Sequence, residues 1–173
     1  NADTAMGSLE KLRKTRQAFT VDLLGEATVS EAEAEEYAAR YRDLIDGLAK
    51  QTASWSHDEL LDEDDRGKIP RVNVSVKVSA MYSQLDPIDP EGSIESAAQR
   101  LIPLCEAAMQ AGVFLNFDME QYHYKELTLA LFKRVLEDSR LAGYEHAGIA
   151  MQAYLRDAEQ DVRDLIKWAK KKK

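Results

Sequence analysis

The chain has 173 residues, 45% hydrophobic and 31% charged, which suits one globular core and gives no sign of disorder. Its 23 lysines and arginines stand against 31 aspartates and glutamates, and a formal charge of −8 argues against nucleic-acid binding by this segment. No run approaches the ~20 apolar residues of a membrane helix and no apolar leader follows the polar N-terminus, so a cytoplasmic protein is expected. The single cysteine, Cys105, lies in an apolar helical pattern and reads as an inert buried thiol in a reducing compartment. In chain order, residues 1–18 form a polar lead-in helix, and "AFTVDLLGEA" is a first strand. Ser30 then opens a helix over 30–51, with Glu33 completing a capping box. Residues 54–70 are acidic and aperiodic, a surface insertion with no chemistry assigned. "RVNVSVKVSAM" is the second strand, followed by a helix over 93–112 that Gly112 closes. "VFLNFDMEQ" is the third strand, and a helix over 124–143 ends at Gly143. "AGIAMQAYL" is the fourth, with a final helix from a capping Asp157 into the lysine run at 170–173, read as a solvated helix end.

Strand and helix alternate strictly, which argues a parallel sheet of right-handed βαβ crossovers. Each strand has one aliphatic face and one mixed face. In the second strand, Val72, Val74, Val76 and Val78 oppose Asn73, Ser75, Lys77 and Ser79. In the third, Val113, Leu115, Phe117 and Met119 oppose Phe114, Asn116, Asp118 and Glu120. In the first, Asp22 and Glu26 share the mixed face, and in the fourth Ala150, Gln152 and Tyr154 do. A doubly wound sheet would be apolar on both faces. One greasy face against outer helices and one polar face toward a lumen fit a (βα)₈ barrel instead, with four of its eight strands present: a half barrel.

On that geometry Asp22, Lys77, Asp118 and Gln152 meet at the carboxyl ends of the strands. Burying an ammonium is costly unless it is compensated. Asp22 and Asp118 on flanking strands would supply that compensation. Two readings stay open, a functional site and an ion cluster that fixes strand register. Gln152 offers an uncharged donor and acceptor suited to a heterocycle edge, and Tyr154 is equally placed for core or lumen. No Gly-rich phosphate loop or nucleophile elbow is present. Asp118, Glu120 and His123 invite a metal reading, but only the two acids share a face, so no metal site is assigned.

"FTVDLLGEATVSEAEAEEYAARYRDLI", "VSVKVSAMYSQLDP", "LNFDMEQY" and "HAGIAMQAYLRDAEQDVRDLIKWA" together resemble the flavin-dependent proline dehydrogenase domain, in the version carried by bacterial bifunctional proline utilization A proteins. The resemblance runs from Phe19 to the C-terminus. It implies a distorted (βα)₈ barrel holding FAD and oxidising L-proline to Δ1-pyrroline-5-carboxylate, with a quinone-type electron acceptor and a cytoplasmic location at the inner-membrane surface. It further implies Lys77 and Asp118 as catalytic groups, with Asp118, Met119, Ala150 and Gln152 against the flavin. Met119 stands where the family more often has alanine. Asp22 and Tyr154 would stand behind them as supporting groups. The family's fifth-strand arginine and lysine and its paired arginines on the last helix have no counterpart. The chain is therefore expected to be inactive alone and to need the rest of the enzyme, or another copy, to complete the barrel. Two alternatives remain: a non-catalytic half barrel that self-associates to hide its edges, and a barrel enzyme using Lys77 as a Schiff-base nucleophile.

Overall fold

The computed structural model describes residues 2–24 and 28–172. Its elements in order are α1 (Ala2–Lys14), β1 (Val21–Asp22), α2 (Glu31–Thr52), α3 (Glu59–Asp62), β2 (Glu63–Asp64) and β3 (Gly67–Lys68). Then follow β4 (Asn73–Val76), α4 (Pro90–Ala111), β5 (Phe114–Phe117), α5 (Lys125–Leu136), β6 (Ala147–Ile149) and α6 (Ala158–Lys172). Four strands make one sheet in the order β1-β4-β5-β6, every pair parallel. Consecutive strand-helix units thus sit side by side, as in part of a TIM-like barrel.

The aliphatic alternation decides which way the sheet faces. Val72, Val74, Val76 and Val78 are 0–2% exposed, Leu115 and Phe117 are fully buried, and all of them pack in one cluster with the outer helices. From α2 come Tyr41, Leu44, Ile45 and Leu48, from α4 Leu101, Leu104 and Cys105, and from α5 Leu131, Phe132 and Val135. Each such aliphatic or aromatic side chain contributes about 1.5–3 kcal/mol by leaving water. The thiol of Cys105 is buried, and desolvation pushes it up to about 12, so it is an inert core residue as expected. α6 joins this layer through Trp168, whose ring meets Phe132 at 5.8 Å while its N–H donates to Glu137 at 2.6 Å.

The opposite face carries the mixed set. Asn73, Lys77, Phe114, Asn116, Asp118 and Ala150 are half-buried there, and Asn116 donates to Ser75 across the β4–β5 rung at 3.2 Å. Phe114 lies over β6, where a Cβ on Gly148 would come within 2.8 Å of the ring, so a larger residue there would have to push the ring aside.

Several boundaries differ from the sequence reading. The first strand pairs only at Val21–Asp22, and its far end, residues 25–27 with Glu26, lies outside the described residues, as does Lys173 of the lysine run. The second strand stops at Val76, after which Lys77 leads into a 3₁₀ turn, Val78–Ala80. The third stops at Phe117 and the fourth at Ile149. Lys77, Asp118, Gln152 and Tyr154 therefore stand just past the strands rather than within them.

The helix expected over 93–112 begins earlier, at Pro90, because Asp89 accepts from the Gly92 N–H at 3.0 Å and proline suits the first turn. It ends as expected at Gly112, which adopts φ 65°. The helix expected to reach Gly143 stops at Leu136. Asp138 takes the Arg140 N–H at 3.1 Å and starts a separate turn, Ser139–Leu141, leaving Gly143 at φ 85°. Ser30 accepts from the Glu33 N–H at 3.3 Å, but Glu33 returns its carboxylate to Val29, one residue further out than a capping box requires.

Residues 54–70 hold α3 and the β2–β3 hairpin, organised around buried Asp62. Both carboxylate oxygens of Asp62 accept from Arg13 of α1 at 2.7 Å, Arg71 approaches to 3.1 Å, and the Asp58 N–H donates at 3.0 Å. The Arg13 hydrogen bonds hold this carboxyl well below the usual carboxylate range. A carboxyl depressed in the fold contributes stability above its unfolded value of about 3.9 and loses it as the pH falls through the folded value. Asp62→Asn is therefore expected to lower the urea midpoint at pH 7, with the two proteins converging as the pH drops below about 3. An equal deficit at every pH would contradict this.

Candidate active site

Lys77 is the centre of the strand-end cluster. The β1–β4 ladder ends at the Asp22–Ser75 pair and the β4–β5 ladder at Val76–Phe117, so the chain is released from the sheet at Lys77. Its side chain rises on the lumen side, where the ammonium meets Asp22 at 3.2 Å, with the two side chains 17% and 35% exposed. Its backbone N–H donates to the hydroxyl of Tyr41, reaching in from α2, at 3.3 Å.

Asp118 follows on the neighbouring strand, its N–H donating to the Val76 carbonyl at 2.9 Å, which puts it beside Lys77. The expected second ion pair is not formed. Asp118 Oδ1 accepts from the Met119 N–H at 2.9 Å, and among the described residues no ion pair joins Asp118 to Lys77. Asp22, expected from its strand position to compensate Lys77 and cast by the resemblance only as a supporting group, is the direct partner. Short-range satisfaction of the Met119 amide, made available where β5 ends, holds the Asp118 carboxylate back.

Gln152 joins the same rim from beyond β6. Its side-chain N–H₂ donates to the carbonyls of Met119 at 3.1 Å and Glu120 at 2.9 Å, and its amide oxygen has no partner among the described residues. Ala150 donates its N–H to Phe117 O at 2.9 Å and closes the last β5–β6 rung. Met119 is buried apart from the main core. Tyr154 is not gathered in: it occupies the turn after Gln152, 80% exposed, because the strand face assumed for it ends at Ile149.

Four further groups shape the rim. Glu120 accepts from Ser79 Oγ at 2.5 Å, and the Ser79 carbonyl accepts from Thr28 N–H at 3.4 Å, tying the ends of β4 and β5 to the start of α2. Tyr41 is fully buried, and burial followed by the charges of Asp22, Glu120 and Asp118 pushes its phenol up, so it stays protonated. The signal for Tyr41 is in the sequence, since a tyrosine within the apolar stripe of α2 must bring its hydroxyl to a partner.

The acids weighed as metal ligands do not converge, because Asp118 and Glu120 are engaged as above and the exposed His123 lies tilted against Tyr124, ring centres 4.1 Å apart. Among the described residues the three carboxylates that do meet are Glu126, Asp157 and Asp161, and the buried ammonium of Lys125 stands among them at 2.8, 2.6 and 2.6 Å. Asp157, expected to cap α6, gives its carboxylate to Lys125. A cation at a helix start opposes the helix dipole, and that oddity in the sequence signals a strong local partner.

The family model for proline dehydrogenase matches residues 5–173. The chain belongs to the proline dehydrogenase family. The structure of proline utilization A (PutA) from Bdellovibrio bacteriovorus, inactivated by N-propargylglycine, superposes with a TM-score of 0.96 and 42% identity over 99% of this chain and 18% of that one. The bifunctional protein PutA of Salmonella typhimurium is 27% identical over 87% of this chain and 10% of its own length. Proline dehydrogenase 1 of Bacillus subtilis is 24% identical over 94% of this chain and 44% of its own length. The chain thus spans less than half of each of these proline dehydrogenase relatives. No described helix is long and apolar enough to cross a membrane.

Proposed function

We propose that this chain supplies the lysine–carboxylate rim of an FAD-dependent proline dehydrogenase, oxidising L-proline to Δ1-pyrroline-5-carboxylate in proline catabolism. The observation that carries this reading is the gathering of Lys77, Asp22, Asp118 and Gln152 at the carboxyl ends of consecutive parallel strands, where barrel enzymes do their chemistry. The donor set fits the flavin: the amide oxygen of Gln152, without a partner among the described residues, suits a ring N–H, and the Lys77 ammonium suits a ring that gains negative charge. When bound, FAD would supply the two-electron acceptor.

The protein's own groups act on charge. In the oxidation a C–H bond beside the proline nitrogen breaks and its electron pair leaves with the hydrogen. A C=N bond forms, and nitrogen becomes cationic until it loses its proton. Asp118 favours that developing positive charge, and Lys77, held from below by Asp22, favours the negative charge on the acceptor side. Met119 and Ala150 provide the apolar wall that keeps water from the reacting atoms. Completion of the open lumen face by further strands, of the same polypeptide or another copy, is supported by the sheet's end strands β1 and β6, each paired on one side only among the described residues. A quinone-type acceptor and a cytoplasmic site at the membrane surface belong to the same reading.

The test is anaerobic titration of the intact, FAD-loaded enzyme with L-proline. Bleaching of the visible flavin bands is expected. Flavin bands that proline leaves unchanged would overturn the assignment.

A further inference from the structure

The fully buried Tyr41 contributes no lumen-facing group, yet its hydroxyl touches the backbone of the residue on which the rim is built. Along β4, the edge toward β1 pairs only as far as Ser75, because β1 ends at Asp22. Two residues later, as the chain enters the 3₁₀ turn Val78–Ala80, the Lys77 N–H has no strand partner among the described residues. An unpaired buried N–H lets the backbone seek another arrangement. The phenol oxygen takes this N–H at 3.3 Å and stands where the next strand rung would have been.

Lys77 is consequently held at two points, its ammonium by Asp22 on the lumen side and its amide by Tyr41 from the helix layer. The lysine stem is flexible, so its ammonium keeps one position only when the backbone end and the charged end are both held.

We propose that Tyr41 is a positioning residue for Lys77: its buried hydroxyl replaces the ladder rung lost where β1 ends and thereby fixes where the ammonium stands. This rests on the reading of Lys77 as the group beside flavin and substrate. A misplacement of about 1 Å at a reacting site can cost about 100-fold in rate. Removing the hydroxyl while keeping the ring, in Tyr41→Phe, should therefore slow catalysis through Lys77 and not through loss of the core.

The experiment is a double-mutant cycle on flavin reduction by L-proline in the intact FAD-loaded enzyme, using Tyr41→Phe, Lys77→Ala and the pair. Tyr41→Phe alone is expected to slow reduction about 10-fold or more. In the Lys77→Ala background, where no ammonium is left to position, it is expected to change the residual rate less than about two-fold. Equal slowing in both backgrounds would show a general structural loss and overturn the proposal, as would a Tyr41→Phe enzyme of unchanged rate. Lys77→Ala by itself separates the two levels: a wild-type rate there sinks the role of Lys77, whereas a large loss there with no effect of Tyr41→Phe sinks only the positioning role. Hydrogen exchange on the unaltered enzyme gives a second arm if Tyr41→Phe fails to accumulate. The Lys77 amide is expected to exchange as slowly as its β4 neighbours, and loop-like exchange would overturn the proposal.

Discussion

Lys77→Ala in the intact, FAD-loaded enzyme is expected to lower the rate of flavin reduction by L-proline by about 10²–10³, the usual loss when one preorganised charge-stabilising group is removed. The same substitution is expected to change folding stability by about 1 kcal/mol or less, because an ion pair that keeps contact with solvent contributes little net. That separation follows from the geometry. The Lys77 side chain stands on the open lumen face, apart from the valine layer, and its ammonium has Asp22 as its ion-pair partner among the described residues. Stopped-flow absorbance at the flavin bands measures the first quantity and urea denaturation the second. A large stability loss with a small rate loss would reverse the assignment and make the Lys77–Asp22 pair a device for strand register.

Lys125→Met is expected to do the opposite, costing about 2–4 kcal/mol of stability, toward the lower side of what removing one partner from a buried ion cluster costs. The ammonium is buried and touches three carboxylates from two helix starts. Burial alone would lower its proton affinity, but the hydrogen bonds it donates to Asp157, Asp161 and Glu126 outweigh that and raise it. A lysine raised in the fold contributes its full stabilisation below its unfolded value and loses it only in strong base, so the cost should be constant across pH 6–9. Asp157 and Glu126 can turn to water, whereas Asp161, with a side chain 14% exposed, is left to bear most of the penalty. Urea midpoints of the variant and the parent across that pH range test this; a loss under about 0.5 kcal/mol would show that the cluster is only a solvated surface feature.

The brace also matters to the site. Lys125 begins α5 just after the segment carrying Asp118 and Met119, and its partners Asp157 and Asp161 lie just after the segment carrying Ala150 and Gln152. Gln152 then bridges those two segments directly through the Met119 and Glu120 carbonyls. The rim is thus held in two places, once by an amide at its edge and once by an ion cluster behind it.

What the sequence made legible was what periodicity controls. The alternation of valines with Asn73, Ser75 and Lys77 fixes which side chains share a face, and the structure keeps those faces apart. Gly112 announces the end of α4 because a left-handed residue is needed there. Strand length was not legible, because a ladder stops where its neighbour stops, and nothing local to β4 records that β1 ends at Asp22. Hence Lys77 and Asp118 were expected within strands and were found just beyond them. The pairing of Asp118 with its own neighbour's amide, in place of Lys77, is a competition at one strand end that pattern cannot decide. Tyr154 shows the same limit, since the period-two face that would have turned it inward had already ended five residues earlier at Ile149. The internal order of the 54–70 insertion was not legible, because it comes from Arg13 and Arg71, distant in sequence from Asp62 by 49 and 9 residues.

The most direct measurement of the central claim is a crystal structure of the enzyme grown with FAD and a proline analogue. The sheet offers two contrasting places for a ligand. One is the carboxyl rim of Lys77, Asp118 and Gln152. The other is a cavity of about 700 Å³ at the opposite strand ends, walled by Phe19, Trp55, Arg71, Asn73, Phe114 and His146. Flavin density within contact of Lys77, Ala150 and Gln152, with the analogue between it and Asp118, is the predicted result. Flavin seated in the opposite cavity, with the rim groups touching neither ligand, would contradict the account.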